Sequence, residues 1–335
     1  MPPRVKPKTL VFAGGGTRCL LFLPALIELQ KKGMLTDVDE CWGTSAGVLL
    51  AALYLLSKDA QKVYDIMFST DFSKLRDIDI TNLLTIYQSW GMDDGRNLVQ
   101  MIEQIFEGLG VSKIITLQEV PGLHAVVSDL TNNKIVVLSA RSYPDMRVVD
   151  AIRATMSLPF FFRPYKHTNG SIWVDGALRY NFPWPLVPNT KTALGFAFKK
   201  PDYEAPKSIA QYIHSILTFC EPAKKTYTNS ENIIFFKRPE FPSWFIKFTE
   251  EDYTMVKEQS VKTIDEWFLL TGSVPPLKTS ESPQQSADHC TPLQVSPERH
   301  TTGLSDTLIP SHEPVLGSSP LQSPCTQPSY RRWSV

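Results

Sequence analysis

From about residue 8 to residue 270 the chain alternates short apolar runs with longer runs of helical spacing. Thr9-Leu10-Val11-Phe12 reads as a strand that stops at three glycines. Residues 18–32 are apolar-rich, helical in length and closed by Gly33. Pro24 lies inside that run and cannot donate a backbone hydrogen bond, so the helix begins near Leu21 or kinks there. Glu40-Cys41-Trp42 is a short strand-like entry to an apolar helix over 46–57. Residues 60–68 and 96–106 also carry helical spacing, with Asp93 and Asp94 as N-caps for the second. Two β-type runs, 124–128 and 134–138, flank Thr131-Asn132-Asn133 and predict a hairpin. Further helices are expected over 147–156, 209–219 and 250–270. The last shows an apolar stripe of Tyr253, Val256, Ile264, Trp267 and Phe268. Short strands are expected over 171–174, 192–198 and 232–236. This order predicts an α/β protein with a mainly parallel central sheet.

The pattern ends near Gly272. The 64 residues from there to the C-terminus hold 10 prolines and 12 serines, with few aliphatics and no periodicity. Such a segment buries too little apolar surface to offset its ordering entropy. The expected organisation is a folded domain over 8–271 and a disordered Pro/Ser-rich tail over 272–335 with no catalytic role. Ser-Pro steps at Ser282, Ser296, Ser319 and Ser323 are possible phosphorylation sites in that tail.

Composition narrows the function classes. The formal net charge is zero, so the whole-molecule field gives no reason to expect nucleic-acid binding. Five cysteines, an odd number with no C-x-x-C pair, argue against a disulfide framework or a structural zinc and suit a reducing compartment. No apolar run approaches the roughly 20 residues of a membrane span, and the N-terminus lacks a signal-peptide h-region. The expectation is a cytoplasmic protein, with peripheral contact at membranes or lipid droplets as a further option.

Gly43-Thr44-Ser45-Ala46-Gly47 reads G-x-S-x-G between a strand and a helix, the context of a nucleophile elbow. The turn lifts Ser45 clear of the backbone, and the helix N-terminus favours negative charge beside it. Upstream, Gly14-Gly15-Gly16 lies in a second strand-to-helix turn whose amides can face an oxyanion. It fails as a dinucleotide loop, because Cys19 stands where the third glycine belongs, and no G-K-[ST] follows. Arg18 pins this loop, meets a lipid phosphate or simply packs at the surface. For the general base, His124, His167 and His214 sit in ordinary strand, loop and helix settings. Asp175, in Val174-Asp175-Gly176-Ala177, ends a strand at a tight turn and is the better candidate. Asp94-Gly95 is the rival pair and reads more simply as a helix cap.

The glycine-rich loop, the GTSAG elbow and the Asp-Gly-Ala turn, in this order and at these separations, resemble the patatin-like phospholipases. Ala154-Thr155-Met156-Ser157-Leu158-Pro159-Phe160 and Asn181-Phe182-Pro183 extend the resemblance, which covers about residues 9–200 and includes the small patatin-like proteins of large DNA viruses. The resemblance implies a three-layer α/β/α fold and a Ser-Asp dyad acyl hydrolase acting on phospholipid or another lipid ester. It implies Ser45 as nucleophile, Asp175 as base, and an oxyanion hole from Gly15 and Gly16 with Gly14 shaping the loop. It also implies no metal or other cofactor in the reaction. The family pattern has glycine where Cys19 stands, so the extra side chain would shift the loop or narrow the site. Leu158, Phe160, Phe161 and Phe162 lie close to Asp175 in sequence and either line an acyl channel or form ordinary core. The aromatic stretch 241–248 either packs on the sheet, the simpler reading, or meets a membrane. Two alternatives stand beside the hydrolase: an acyl transferase of the same chemistry, and a non-catalytic scaffold acting through its tail.

Overall fold

The computed structural model describes residues 6–75, 86–199, 227–239 and 247–272, with Tyr212 and Ser215. The chain divides into two units, 1–278 and 279–335, and all that follows concerns the first. The expected tail beyond Gly272, most of the helix expected over 209–219 with His214, and residues 241–246 lie outside the described residues.

The strands are β1 (Thr9–Phe12), β2 (Glu40–Thr44), β3 (Gly91–Asp93), β4 (Leu123–Asp129), β5 (Lys134–Leu138), β6 (Phe160–Phe162), β7 (Tyr165–Lys166), β8 (Ile172–Asp175), β9 (Ala193–Phe198) and β10 (Ile233–Phe236). The α-helices are α1 (Phe22–Lys31), α2 (Ala46–Ser57), α3 (Ala60–Ser69), α4 (Arg96–Leu109), α5 (Val148–Thr155), α6 (Ala177–Tyr180) and α7 (Glu250–Thr271).

β1 is buried at all four residues, as a central strand covered on both faces must be. It pairs in parallel with β2 on one side and β9 on the other, and β10 and β4 continue the parallel run outward. The sheet order is β10-β9-β1-β2-β4-β8-β7, with β5 also on β4 and helices on both sides. This is the mainly parallel α/β arrangement that the alternation predicts. The departures from parallel are β5 and β8 against β4, and β7 against β8. A slab of rings from Phe12, Phe22, Phe196 and Phe236 fills the core between sheet and helices, with Phe12 and Phe196 stacked at 5.1 Å.

Two sequence expectations are refined. The run after the glycine loop opens as a 3-10 turn over Gly16–Leu21, and α1 starts only at Phe22. Pro24 therefore occupies the first turn, where its missing N–H costs nothing. At α4 the capping residue is Gly95 at φ 80, not an aspartate. Asp93 and Asp94 instead accept the amides of Gly95 and Arg96 at 2.6 and 2.9 Å. The parallel pair β3–β6, the two-residue β7 and the single-turn α6 were not expected; each is too short to impose a period on the sequence.

Candidate active site

β4 brings two distant strands end to end. The C-terminal half of β2 pairs along its first residues, with Thr44 opposite Val126. β8 arrives antiparallel and ends with Asp175 opposite Val127. β5 occupies the other edge of β4 over the same residues, so β2 and β8 share one edge and their tips meet. Ser45 follows the first tip, and Asp175 is the second. Gly176 fits this junction because a Cβ there would lie 2.3 Å from the Val126 carbonyl oxygen and 3.1 Å from Thr44.

The elbow is strained where the sequence placed it. Ser45 has φ 54 and ψ −135, a conformation that a non-glycine residue rarely adopts. Its neighbours allow that turn: a Cβ on Gly43 would meet the Val48 amide at 2.7 Å, and one on Gly47 the Phe12 and Ala13 carbonyls at 2.7 Å. α2 is apolar throughout, with residues 46–54 all buried, so the helix is driven into the core with its N-terminus at Ser45. Ser45 caps α2 by position, but its hydroxyl makes no capping bond.

Asp175 is fully buried. Its Oδ1 accepts the Ala177 amide at 2.8 Å. Its Oδ2 has no hydrogen-bond partner within 3.5 Å among the described residues. The Ser45 hydroxyl nevertheless stands close enough to favour the ionised carboxylate. Burial dominates and pushes the Asp175 carboxyl up to about 7, against the smaller opposing pull of the Ala177 amide and the Ser45 hydroxyl.

One segment holds both residues. The Ser45 amide donates to Thr155 Oγ1 at 3.0 Å, and the Thr155 hydroxyl donates to the Val126 carbonyl at 2.5 Å. Two residues on, the Ser157 carbonyl accepts the Asp175 amide at 3.0 Å. Arg153, 6% exposed, ties this segment down by donating to Ser157 Oγ at 2.6 Å and to the carbonyls of Asp94 and Arg163. Sequence reasoning did not single out Thr155, Ser157 or Arg153 individually. For Thr155 and Ser157 the signal was there in the block 154–160, where they are the polar residues of an otherwise apolar run; Arg153 lies just outside it.

The glycine loop lies against Ser45: a Cβ on Gly14 would come within 3.0 Å of Ser45 Cβ and 2.6 Å of Asn181 Oδ1. The Gly14 amide is taken by the Asn181 carbonyl at 2.9 Å, whereas Gly15 and Gly16 are partly exposed. Cys19 is buried behind the loop, its thiol donating to the Ala13 carbonyl at 3.4 Å, and burial raises its pKa. Arg18 is held below its usual range, first by burial and then by the charge of Arg238. His124 is engaged with Glu40 at the opposite end of β2, and His167 stacks on Trp173.

A narrow apolar cavity of about 40 Å³ begins at Gly16, Thr17, Cys19 and Ala46, beside Ser45, and runs between α2, α3 and α4 past Leu50, Met67, Phe72, Met101, Ile105 and Met156. Of the four residues expected to line a channel, Phe162 does so. Leu158 is buried, Phe161 half-buried and Phe160 48% exposed, and none of these three lines that cavity. Among the described residues no group of three His, Cys, Asp or Glu side chains could hold a metal ion. No described helix is long and apolar enough to cross a membrane.

The fold and the elbow define the class: an α/β protein presenting a serine between strand and helix, with a buried carboxylate at its side. The chain belongs to the patatin-like phospholipase family, whose sequence profile matches residues 10–187. Membership implies lipid-ester hydrolysis as the class of activity. Similar proteins include YqhO of Bacillus subtilis (strain 168), 29% identical over 215 residues, spanning 59% of this chain and 73% of that one. The "Probable lipid hydrolase 463L" of Invertebrate iridescent virus 6 is 25% identical over 187 residues, spanning 52% of this chain and 61% of the viral protein. The crystal structure of VipD from Legionella pneumophila shares the fold at TM-score 0.51 and 14% identity, covering 78% of this chain and 67% of that one.

Proposed function

We propose that this chain is a phospholipase A-type acyl hydrolase in which Ser45 is the nucleophile and Asp175 its base. The observation that carries the reading is a serine on a strained elbow beside a fully buried carboxylate with a pKa of about 7, next in the chain to Ala46, which lines an apolar cavity. A base with that pKa is both ionised and basic enough near neutral pH.

Asp175 Oδ2 takes the proton as Ser45 Oγ attacks the ester carbonyl carbon. The amides of Gly15 and Gly16 hold the oxyanion, and the Gly14 amide, already bonded to Asn181, sets the loop. The tetrahedral intermediate collapses with cleavage of the acyl C–O bond, and Asp175 returns its proton to the leaving alcohol. Water, deprotonated by Asp175, then attacks the acyl-enzyme, and Ser45 leaves with that proton as the fatty acid is released. The apolar side chains around the narrow cavity, Leu50, Met67, Met101, Met156 and Phe162, must part to admit an acyl chain, and the three methionines are the residues best able to do so. The substrate is a phospholipid or related lipid ester, and no metal takes part in the chemistry.

The test is fatty-acid release from mixed phospholipid vesicles with a calcium chelator present, comparing wild type with Ser45→Ala and Asp175→Asn. Chelator-resistant release lost in both variants supports the dyad. A folded wild type inactive on phospholipid, glyceride and short-chain ester would overturn the reading, and acyl transfer to an added alcohol in preference to water would redirect it to a transferase.

A further inference from the structure

Three large aromatic side chains project into solvent beside the site. Tyr87 is 75% exposed, Trp90 52% and Phe160 48%. The parallel pair β3–β6 puts Gly91 opposite Phe160, so Trp90 adjoins Phe160. Tyr87 sits one turn before Trp90, whose amide donates to the Ile86 carbonyl at 2.7 Å. Trp90 and Phe160 have φ 59 and φ 71, left-handed conformations that bulky residues avoid. A solvent-exposed ring held at such a backbone angle is the kind of outlier that fold stability alone does not call for.

Cations surround these rings. Lys166 Nζ lies over the Trp90 ring at 5.7 Å. Lys166 and Arg163 line an adjoining open groove of about 920 Å³. Neither is in an ion pair within 4.0 Å among the described residues. The acids of that groove make their close ion pairs with other residues, Asp94 with Arg96 at 2.6 Å and Asp150 with Arg147 at 2.8 Å, although Asp94 also feels the charge of Arg163. The surface is also close to the chemistry. Phe160 is three residues from Ser157, whose carbonyl holds the Asp175 amide, and three residues span at most about 10 Å.

We propose that Tyr87, Trp90 and Phe160, with Lys166 and Arg163, form the surface by which this chain docks on an anionic phospholipid bilayer. Exposed rings, two of them with polar tips, beside cations outside any ion pair within 4.0 Å among the described residues match a membrane–water interface, where the rings enter the headgroup boundary and the cations meet lipid phosphates and carboxylates. The choice of partner rests on the lipid-hydrolase reading. Docked this way, the protein holds the mouth of its acyl cavity at the membrane, and a lipid reaches Ser45 without crossing water.

The test separates docking from turnover by using the Ser45→Ala protein, which stays bound to intact lipid. Its co-sedimentation is measured with vesicles of phosphatidylcholine, with and without phosphatidylserine. Binding is expected to be stronger with phosphatidylserine. Adding Tyr87→Ser and Trp90→Asn, the asparagine chosen because it tolerates the left-handed backbone, should weaken partition about tenfold on both vesicles. Adding Lys166→Gln or Arg163→Gln should cost about fivefold each, on phosphatidylserine vesicles only. Leu269→Ser with Leu270→Ser, at exposed positions of α7, should change nothing. Full binding by the aromatic variant, loss caused instead by the α7 pair, or no binding to either vesicle overturns the proposal. Failure of the hydrolase reading shows separately, as no Ser45-dependent release from a dispersed short-chain ester by the wild type.

Discussion

The two ends of β2 stand beside the same chemical group in opposite circumstances. At its start, Glu40 is only partly buried and accepts from His124, Trp42 and Thr9, each at 2.9 Å. Chiefly through the His124 contact, its carboxyl falls to about 2. At the far end, across the Ser45 elbow, Asp175 is fully buried with one amide donor inside 3.5 Å, and its carboxyl rises to about 7. Donors and exposure hold the Glu40 carboxyl low; desolvation with few donors holds the Asp175 carboxyl high, as the proposed role of base requires. Strongly raised carboxyls of this kind concentrate at functional sites, which is why the contrast supports the proposed dyad.

The comparison breaks most sharply at the reactive end. Ser45→Ala and Asp175→Asn should each lower fatty-acid release by about 10³-fold or more, whereas Glu40→Gln should leave release unchanged. Equal losses at both ends would remove the distinction. A second effect concerns the supports of Ser45. Thr155→Val deletes both the acceptor for the Ser45 amide and the donor to Val126, and is expected to lower kcat about 10²-fold with KM little changed; Thr155→Ser should restore most of it.

The pH dependences run in opposite directions. Asp175 must be ionised to accept a proton, so kcat/KM should rise through an apparent pKa near 7. Its folded pKa lies above the ordinary value of 3.8, so its ionisation opposes folding, and stability is lost as pH climbs from about 4 to about 7. Asp175→Asn should therefore unfold at higher temperature than wild type at pH 8, by at most roughly 4 kcal/mol. Glu40 is the reverse. Its folded pKa is depressed, so its contribution is present above about 4.5 and disappears as pH falls toward 2. The gain is partly screened by solvent and amounts to about 1 kcal/mol, so Glu40→Gln should lower Tm at pH 7 by a few degrees and narrow the difference at pH 3. Among the site variants the smallest effect on overall activity is expected from Met101→Trp, which fills the apolar cavity; product chromatography should show a shift toward shorter acyl chains.

The fold and much of the candidate site were legible because they rest on local rules. Gly43, Gly47 and Gly176 mark turns where any Cβ would strike backbone, and such positions announce themselves in the residue string. The helices and parallel strands announced themselves by period. Phe160 and Phe162 show where that ends. They are neighbours in one aromatic run, yet Phe162 faces the cavity and Phe160 faces solvent at φ 71. Nothing in three consecutive phenylalanines distinguishes them, because the difference comes from how β6 pairs with β3.

By itself, then, the sequence determined the alternation of elements, the two strand-to-helix glycine turns, the serine elbow and the Asp-Gly turn, since each depends on residues within a few positions of one another; pairing the last two rested on the family resemblance. Only the tertiary structure decided that β4 would bring Thr44 and Asp175 to adjacent residues of one edge, that Thr155 and Ser157 would hold both tips, and that the Gly14 amide would be spent on Asn181. The Asp175 pKa belongs to the same group. Burial is a property of everything packed around a side chain, and that packing is drawn from β4, α5 and the glycine loop, far apart in the chain.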